Sequence, residues 1–240
     1  VFNDIYCTKE STFTFMQDIL DEVVKLFPSS YIHLGGDEAP RIRWKNCVHC
    51  QERMKQEHLT KEAELQTYFI NRIENYLNAR GKKIIGWDEI LEGGIPQRAT
   101  VMSWRGEKGG IHAAKAGYDV IMSPNIYMYF NCFQFKGNGR KIGNPNRVIT
   151  LEKVYNYHPE ALTADEAKHI KGVQANLWTE YMSALDEMEY MLYPRVAALS
   201  EVAWSKKEYK DYGKFCTRLE SIRQHYDVLG INYCKKISNE

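Results

Sequence analysis

Five short apolar segments, each ending in polar or aromatic residues, recur along this chain. They read YIHLGGDEAP (31–40), KKIIGWDEI (82–90), TVMSWRG (100–106), DVIMSPN (119–125) and VQANLWTE (173–180). Apolar runs of this length are typical of buried strands. Patterns with an apolar residue every three or four positions usually separate them, as between residues 65 and 77, and such patterns indicate helices. Strands that alternate with helices predict an α/β fold with a parallel sheet.

The first segment carries two glycines followed by two adjacent carboxylates. Gly35 and Gly36 can adopt backbone angles closed to other residues, so Asp37 and Glu38 can both turn towards one pocket, whereas a regular strand would point them to opposite faces. His33 is predicted to be a structural hydrogen-bonding residue behind them. Taken alone, an Asp-Glu pair favours an alternative in which Asp37 caps the next segment and Glu38 is solvated. Polar residues at the ends of several parallel strands instead favour the active site of a barrel enzyme.

Composition sets the broad class of the protein. With 240 residues, 44% hydrophobic and 26% charged, the chain suits one soluble globular domain, 1–240. A net charge of +1 without a dense basic run gives no field for steering nucleic acid, so no nucleic-acid partner is predicted. No apolar run reaches the roughly 18 residues needed to span a bilayer. The N-terminal sequence lacks a signal-peptide pattern, so we expect any export signal to lie upstream.

Cysteine usage leaves one question open. Six cysteines are scattered along the chain, and Cys47 and Cys50 form a single Cys-x-x-Cys in residues 41–60, which we interpret as irregular. A zinc site, a loop disulfide or two reduced thiols are all compatible with this pair. Because a second pair is absent, the zinc signal is weak, and no metal or other cofactor is predicted.

Several motifs together resemble a known family. HLGGDE (33–38), GWDE (86–89), MSWRG (102–106), the triplet Tyr-Phe-Asn (129–131) and NLWTE (176–180) are similar, in order, to glycoside hydrolase family 20, the β-N-acetylhexosaminidases, especially bacterial members. The resemblance implies a (β/α)8 TIM-type barrel.

The five strands found here would be strands four to eight of that barrel, followed by C-terminal helices. We therefore expect this chain to be the C-terminal part of a catalytic barrel whose first strands are missing. An upstream segment or a homo-oligomer would then cover the open sheet edges.

The activity implied by the resemblance is removal of terminal N-acetylglucosamine or N-acetylgalactosamine from glycans such as chitobiose, with retention of configuration. In this family the substrate assists: its 2-acetamido oxygen attacks the anomeric carbon and forms an oxazolinium ion. The resemblance makes Glu38 the general acid and base. Asp37 would orient the acetamido group, and the Tyr129 hydroxyl would hold its oxygen.

Further residues match sugar contacts of the family. Trp87, Trp104 and Trp178 resemble an apolar box around the acetamido methyl and the sugar face, although core packing is an alternative for any single tryptophan. Glu180 matches an acceptor for the outer hydroxyls. Asn131 stands where many members carry Asp, which weakens the inference of a hydroxyl contact there.

Other functions remain open at this stage. A catalytically incomplete fragment could act as an N-acetylhexosamine-binding module, and a lacto-N-biosidase-like activity would need a roomier pocket. An unrelated barrel lyase or aldolase would require a Schiff-base lysine or metal ligands at the strand ends, and neither is visible. Bacterial relatives are usually exported, so the resemblance implies a periplasmic, cell-surface or secreted location.

Overall fold

The computed structural model describes residues 6–94, 96–137, 142–159 and 162–237. The α-helices are α1 (Glu10–Leu26), α2 (Ile42–Asn46), α3 (Val48–Gln56), α4 (Glu62–Asn78), α5 (Lys108–Lys115), α6 (Asn125–Met128), α7 (Leu151–Tyr155), α8 (Ala164–Ala167), α9 (Leu185–Leu192), α10 (Arg195–Trp204) and α11 (Tyr212–Val228). The strands are β1 (Tyr31–His33), β2 (Lys83–Trp87), β3 (Thr100–Ser103), β4 (Val120–Met122), β5 (Cys132–Phe133), β6 (Asn144–Val148) and β7 (Ile170–Val173).

The chain divides into two compact units. The first comprises the chain up to Ser103 with Lys108–Val120 and Ala164–Ile170, and the second comprises Trp104–Glu107, Ile121–Thr163 and the chain from Lys171 onwards. The interpretation of residues 1–240 as one domain stays a prediction.

Five of the described strands form a sheet in the order β1, β2, β3, β4, β7. In the first unit, β1 pairs in parallel with β2, with Ile32 opposite Ile84, and β2 pairs in parallel with β3, with Gly86 opposite Val101. Three α-helices lie between β1 and β2 and one lies between β3 and β4, whereas only a short 3-10 helix, Asp88–Leu91, lies in the described part of the segment between β2 and β3. This arrangement confirms the predicted α/β class with parallel pairing.

The first strand differs from its prediction as a buried strand. Only Ile32 is buried, whereas Tyr31 and His33 are exposed. The reason is that successive side chains of a strand point to opposite faces, and only the face that carries Ile32 is covered.

The last predicted strand begins earlier than the sequence pattern indicates. We expected residues 173–180 to be extended, but β7 covers Ile170–Val173 and the following residues form no regular strand. In the second unit, the Gln174 amide donates to the Met122 carbonyl at 2.9 Å. A single parallel bridge then joins Asn176 to Tyr129. Backbone pairing therefore continues past β7 only locally.

The prediction that residues 41–60 are irregular is wrong, because α2 and α3 occupy most of this segment. A small apolar core of the first unit explains the helices. It contains Trp44, Cys50, Met54 and Leu65, all nearly inaccessible to solvent. Since short helices are marginal alone, this packing is what stabilises them.

Each unit also has a larger set of buried apolar contacts. In the first unit, α1 packs on α4, and the ring of Phe13 lies 5.1 Å from that of Phe69. The core of the second unit brings together α7, α10 and α11 through Val154, Ala198 and Phe215. Within the part of the chain that the structure describes, no helix is both long enough and apolar enough to cross a bilayer.

Candidate active site

The turn after β1 is built from backbone conformations that most residues avoid. Gly35, Gly36 and Glu38 have φ angles of 76°, 95° and 46°. Glycine adopts this left-handed region without cost, which confirms the role predicted for the two glycines. A Cβ atom on Gly36 would lie 2.7 Å from Cγ2 of Ile90. The turn leaves the carboxylates of Asp37 and Glu38 exposed. We call residues 35–38 the carboxylate turn.

Side chains and amides from the first unit hold the two glycines in place. The Trp87 amide donates to the Gly35 carbonyl at 2.9 Å, and Nε2 of Gln66 donates to the Gly36 carbonyl at 2.8 Å. The Arg41 guanidinium in turn donates to Oε1 of Gln66 through Nε at 3.2 Å and Nη2 at 2.5 Å. The carboxylate turn is therefore fixed from β2, from α4 and from the segment that follows it.

A second acidic pair lies under this turn. Asp88 and Glu89, which directly follow β2, are only 5% and 6% exposed. The Glu89 carboxylate accepts a hydrogen bond from the Glu38 amide at 3.4 Å. No role was predicted for Glu89. The GWDE motif was a signal for it, because an Asp-Glu pair after a second strand repeats the pattern of the first.

His33 occupies the place predicted for a structural residue behind the carboxylates. Its Nδ1 accepts a hydrogen bond from the Gly35 amide at 3.0 Å, and its ring lies 4.8 Å from that of Trp87. Desolvation by partial burial lowers the pKa of His33, although the Asp37 carboxylate opposes that shift. A neutral imidazole is the form that can accept at Nδ1. The hydrogen bond and the lowered pKa therefore agree.

A cavity of about 470 Å³ opens beside the carboxylates in the first unit. Asp37 and Glu38 line it together with Pro40, and apolar side chains such as Trp44 and Phe69 form another part of its wall. A cleft that combines apolar walls with a few polar groups is typical of a small-molecule site.

In the second unit, three aromatic side chains predicted to contact sugar converge. The rings of Trp104 and Tyr129 are stacked, with centroids 5.9 Å apart and planes inclined by 12°. The rings of Tyr129 and Trp178 meet at 6.1 Å and 67°. Trp178 is 43% exposed, so this cluster keeps an open apolar face. We call Trp104, Tyr129 and Trp178 the aromatic cluster.

Asn176 fixes the backbone that carries two members of the aromatic cluster. The Phe130 amide donates to the Asn176 carbonyl at 2.7 Å, and the Asn176 amide donates to the Met128 carbonyl at 2.8 Å. Its side-chain Nδ2 also donates to Oγ of Ser123 at 2.8 Å. No role was predicted for Asn176, whose only signal in the sequence was its place inside the NLWTE motif.

Arg195 supports the same region from α10, and the sequence carried no clear signal for it. Its side chain is fully buried, and it donates to the carbonyls of Cys132 and Ile149 at 3.1 Å, of Phe130 at 2.5 Å, and of Met191. Burial lowers the pKa of Arg195 to about 9. The cation therefore ties the segment after Tyr129 to α10.

Two further predicted sugar contacts have different surroundings. Asn131 is 3% exposed, and its Oδ1 has no hydrogen-bond partner among the described residues. Its carbonyl accepts from the Asn144 amide at 2.6 Å. Glu180 is exposed, two residues after Trp178. The roles inferred for these residues stay predictions, as do those of Asp37, Glu38, Tyr129 and the tryptophans.

Comparison with known proteins identifies the family. The sequence profile described as glycosyl hydrolase family 20, catalytic domain, matches residues 1–207. The chain belongs to glycosyl hydrolase family 20. Among curated relatives, the β-hexosaminidase of Porphyromonas gingivalis is 46% identical over 240 residues, covering 97% of this chain and 30% of that protein. The β-hexosaminidase of Vibrio furnissii is 35% identical, covering 79% of this chain and 32% of that protein.

Solved family 20 structures share the fold. An exo-β-N-acetylglucosaminidase from Vibrio harveyi, in complex with N-acetylglucosamine, matches 94% of this chain and 36% of its own with a TM-score of 0.86 and 32% identity. A β-N-acetylhexosaminidase from Bacteroides fragilis matches all of this chain and 51% of its own with a TM-score of 0.84 and 27% identity. These matches confirm the barrel-type α/β fold, of which the chain represents a part. The chain spans about a third of the length of these curated relatives.

Proposed function

We propose that this chain contributes the two catalytic carboxylates, and several residues that contact the sugar, to the active site of a retaining exo-β-N-acetylhexosaminidase. Family membership and relatives named β-hexosaminidase support this activity. The observation that carries the proposal is the carboxylate turn, where Asp37 and Glu38 are adjacent and exposed after two left-handed glycines. In most glycosidases two carboxyl groups flank the scissile bond from separate positions. An adjacent pair suits a reaction in which the substrate supplies the nucleophile.

In the proposed first step, Glu38 gives its proton to the glycosidic oxygen while the 2-acetamido oxygen bonds to the anomeric carbon. The bond to the leaving alcohol breaks, and an oxazolinium ion forms. Asp37 holds the acetamido N–H and stabilises the positive charge that develops there. In the second step Glu38 removes a proton from water, which attacks the anomeric carbon and opens the ring. Two inversions give net retention.

The aromatic cluster is assigned to contacts with the acetamido group and the sugar face. The Tyr129 hydroxyl donates to the acetamido oxygen, which fixes the direction of attack. Trp104 and Trp178, together with Trp87, provide apolar surface for the acetamido methyl and for the sugar face. The stacking of Tyr129 on Trp104 supports a fixed position for the hydroxyl.

N-acetylglucosamine is the first substrate to test, because a similar solved enzyme is described as an exo-β-N-acetylglucosaminidase in complex with that sugar. We include N-acetylgalactosamine, which differs in one hydroxyl configuration, and we assign contacts with the outer hydroxyls to Glu180 and Asn131. An exported location, in the periplasm or at the cell surface, is part of the proposal and is tested by cell fractionation.

The test uses the protein produced from its own gene and p-nitrophenyl N-acetyl-β-glucosaminide. We expect Glu38→Gln to lower kcat by about 10²–10⁴-fold, the usual contribution of general acid–base catalysis. Glu22→Gln is the matched control, since Glu22 lies exposed on α1 and pairs with Lys25. NMR of the first product should show the β-anomer.

A second readout separates an enzyme from a binding module. The alternative is a protein that binds N-acetylhexosamine without hydrolysing glycosides. N-acetylglucosamine that binds in calorimetry, without any turnover of the aryl glycoside, would replace the hydrolase proposal by sugar binding. Equal turnover by Glu38→Gln and wild type would refute the role of Glu38.

A further inference from the structure

Three cysteines of the first unit converge away from the carboxylates. Sγ of Cys7 lies 3.3 Å from Sγ of Cys47 and 3.6 Å from Sγ of Cys50. All three sulfur atoms lie within 4.8 Å of one another, and within the described ranges they are the group of potential metal ligands that comes this close. We call them the cysteine cluster.

The spacing of the sulfur atoms fits a tetrahedral metal ion. A Zn–S bond of about 2.3 Å at tetrahedral angles separates two thiolate sulfurs by about 3.8 Å. The Cys7–Cys47 and Cys7–Cys50 separations of 3.3 and 3.6 Å are both slightly shorter than that value, and the Cys47–Cys50 separation is within 4.8 Å. A disulfide could join only two of the three sulfurs and would leave the third unused.

The backbone places one ligand at the start of a helix, since Cys47 is the N-cap of α3. Cys50 lies three residues further on, in the first turn of the same helix. A divalent cation bound there would replace the protons of the three thiols.

The surroundings of the cysteine cluster suit a structural site. Cys50 is fully buried against Trp44, Met54 and Leu65, whereas Cys7 and Cys47 are partly exposed. An apolar shell on one side protects the metal–sulfur bonds, and the partly exposed side gives the ion a path of entry.

We propose that Cys7, Cys47 and Cys50 bind one thiophilic divalent cation, Zn²⁺, with water as the fourth ligand. The ion ties the segment before α1 to the N-terminus of α3. The Nε1 of Trp44 on α2 already donates to the Tyr6 carbonyl at 3.0 Å across the same junction. Because α2 begins at Ile42, the ion also restrains the chain that follows Glu38.

The sequence pattern could not reveal this site, because the third ligand lies 40 positions before Cys47. A Cys-x-x-Cys without a second pair offers only two ligands. The proposal rests on none of the hydrolase chemistry, and its main readout is bound metal.

The test begins with protein purified under reducing conditions and stripped of metal. Titration with Zn²⁺, followed by gel filtration and elemental mass spectrometry, should give one equivalent of tightly bound zinc. Replacing Zn²⁺ by Co²⁺ should produce thiolate-to-cobalt charge-transfer absorption in the near ultraviolet. Cys47→Ser and Cys7→Ser should each weaken zinc binding by more than about tenfold and lose that absorption. Cys216→Ser is the matched control, since Cys216 is a partly buried cysteine of the second unit.

Three results would overturn the proposal. One is zinc content and cobalt absorption that are unchanged in Cys7→Ser and Cys47→Ser. Another is no bound metal in reduced wild-type protein whose circular dichroism is native. The last is a disulfide between two of these cysteines in protein isolated without reductant, combined with failure of the reduced form to bind zinc.

Discussion

At the scale of the residue, Glu38 has an exposed carboxylate and a left-handed backbone conformation, which is unfavourable for any residue other than glycine. A residue other than glycine in the left-handed region costs about 1–3 kcal/mol, and such strain persists only where neighbours impose it. Here Gln66 holds Gly36 from one side and Glu89 accepts from the Glu38 amide on the other. The conformation of Glu38 therefore lowers the free energy of unfolding, as expected for a residue whose side chain has a catalytic role.

This strain gives a stability prediction for Glu38. Glu38→Gly should be more stable than Glu38→Gln by about 1 kcal/mol, because glycine relieves the left-handed strain at φ 46° while glutamine keeps it. Both variants lose the acid. Urea unfolding followed by circular dichroism measures the difference. If Glu38→Gly were the less stable variant, the position would be unstrained.

His33 gives a prediction on pH. Its pKa is lowered in the folded protein, so between that pKa and the usual value of about 6.5 the unfolded chain binds more protons. The free energy of unfolding should therefore fall as pH drops below about 6.5. Protonation of Nδ1 also breaks the hydrogen bond from the Gly35 amide. In His33→Asn, the free energy of unfolding should fall less than in the wild type between pH 7.5 and 5.

Urea unfolding at these two pH values tests the assignment. Asparagine can still accept a hydrogen bond from the Gly35 amide, so the variant should fold at pH 7.5. His112→Asn, at an exposed position on α5, is the control and should keep the wild-type pH dependence. If the free energy of unfolding of His33→Asn depended on pH as strongly as that of the wild type, groups other than His33 would be responsible for the pH dependence.

At the scale of the element, the periodic segments were predictable and the segments stabilised by distant contacts were not. The apolar runs that became β1 to β4 and the stripes of α1 and α4 are local signals. The helix α3 is different, since it has only two buried residues, Cys50 and Met54, among charged ones. Its packing partner Leu65 lies on another helix, so no local pattern could reveal it.

Arg195 is the clearest example of a residue that stabilises an element through distant contacts, because its guanidinium joins the segment after Tyr129 to α10. Arg195→Met removes the guanidinium donors to the four carbonyls. Because a buried acceptor left unsatisfied costs about 1–3 kcal/mol, we expect the free energy of unfolding to fall by at least about 3 kcal/mol. Arg218→Met is the matched control, since Arg218 is 53% exposed in its ion pair with Glu201 and should cost no more than about 1 kcal/mol.

Chemical denaturation of both variants checks this prediction. Arg195→Lys offers a second comparison, because a lysine keeps the charge but can reach fewer carbonyls than the planar guanidinium. We expect its stability to lie between those of wild type and Arg195→Met. Equal losses for Arg195→Met and Arg218→Met would mean that water satisfies the carbonyls in the variant.

At the scale of the whole molecule, the candidate catalytic residues were predictable because each lies in a short motif. The residues that hold them were not, since their partners are far away in sequence: Gln66 contacts Gly36 across 30 positions, and Arg195 contacts Phe130 across 65. The cysteine cluster spans 40 positions for the same reason. The candidate catalytic residues can therefore be recognised from short motifs, whereas the residues that hold them in place can be recognised only from the fold.

Net charge is the other property of the whole molecule, and it leads to a prediction opposite in sign to that for His33. The chain carries 32 Lys and Arg against 31 Asp and Glu, so its charge at pH 7 is only +1, and seven histidines add positive charge on acidification. Charge repulsion that keeps molecules apart is weakest near zero net charge. Self-association should therefore be greatest near neutral pH and decrease towards pH 6, although folding stability falls over that interval.

Dynamic light scattering at fixed protein concentration separates the two effects. Lys115→Glu, at an exposed position, moves the charge at pH 7 from +1 to −1 and should shift the pH of greatest association downwards. Salt should increase association at pH 6, because it screens the added charge. Association that instead rises with acid in parallel with the loss of stability would show that exposure of buried surface, and not net charge, controls it.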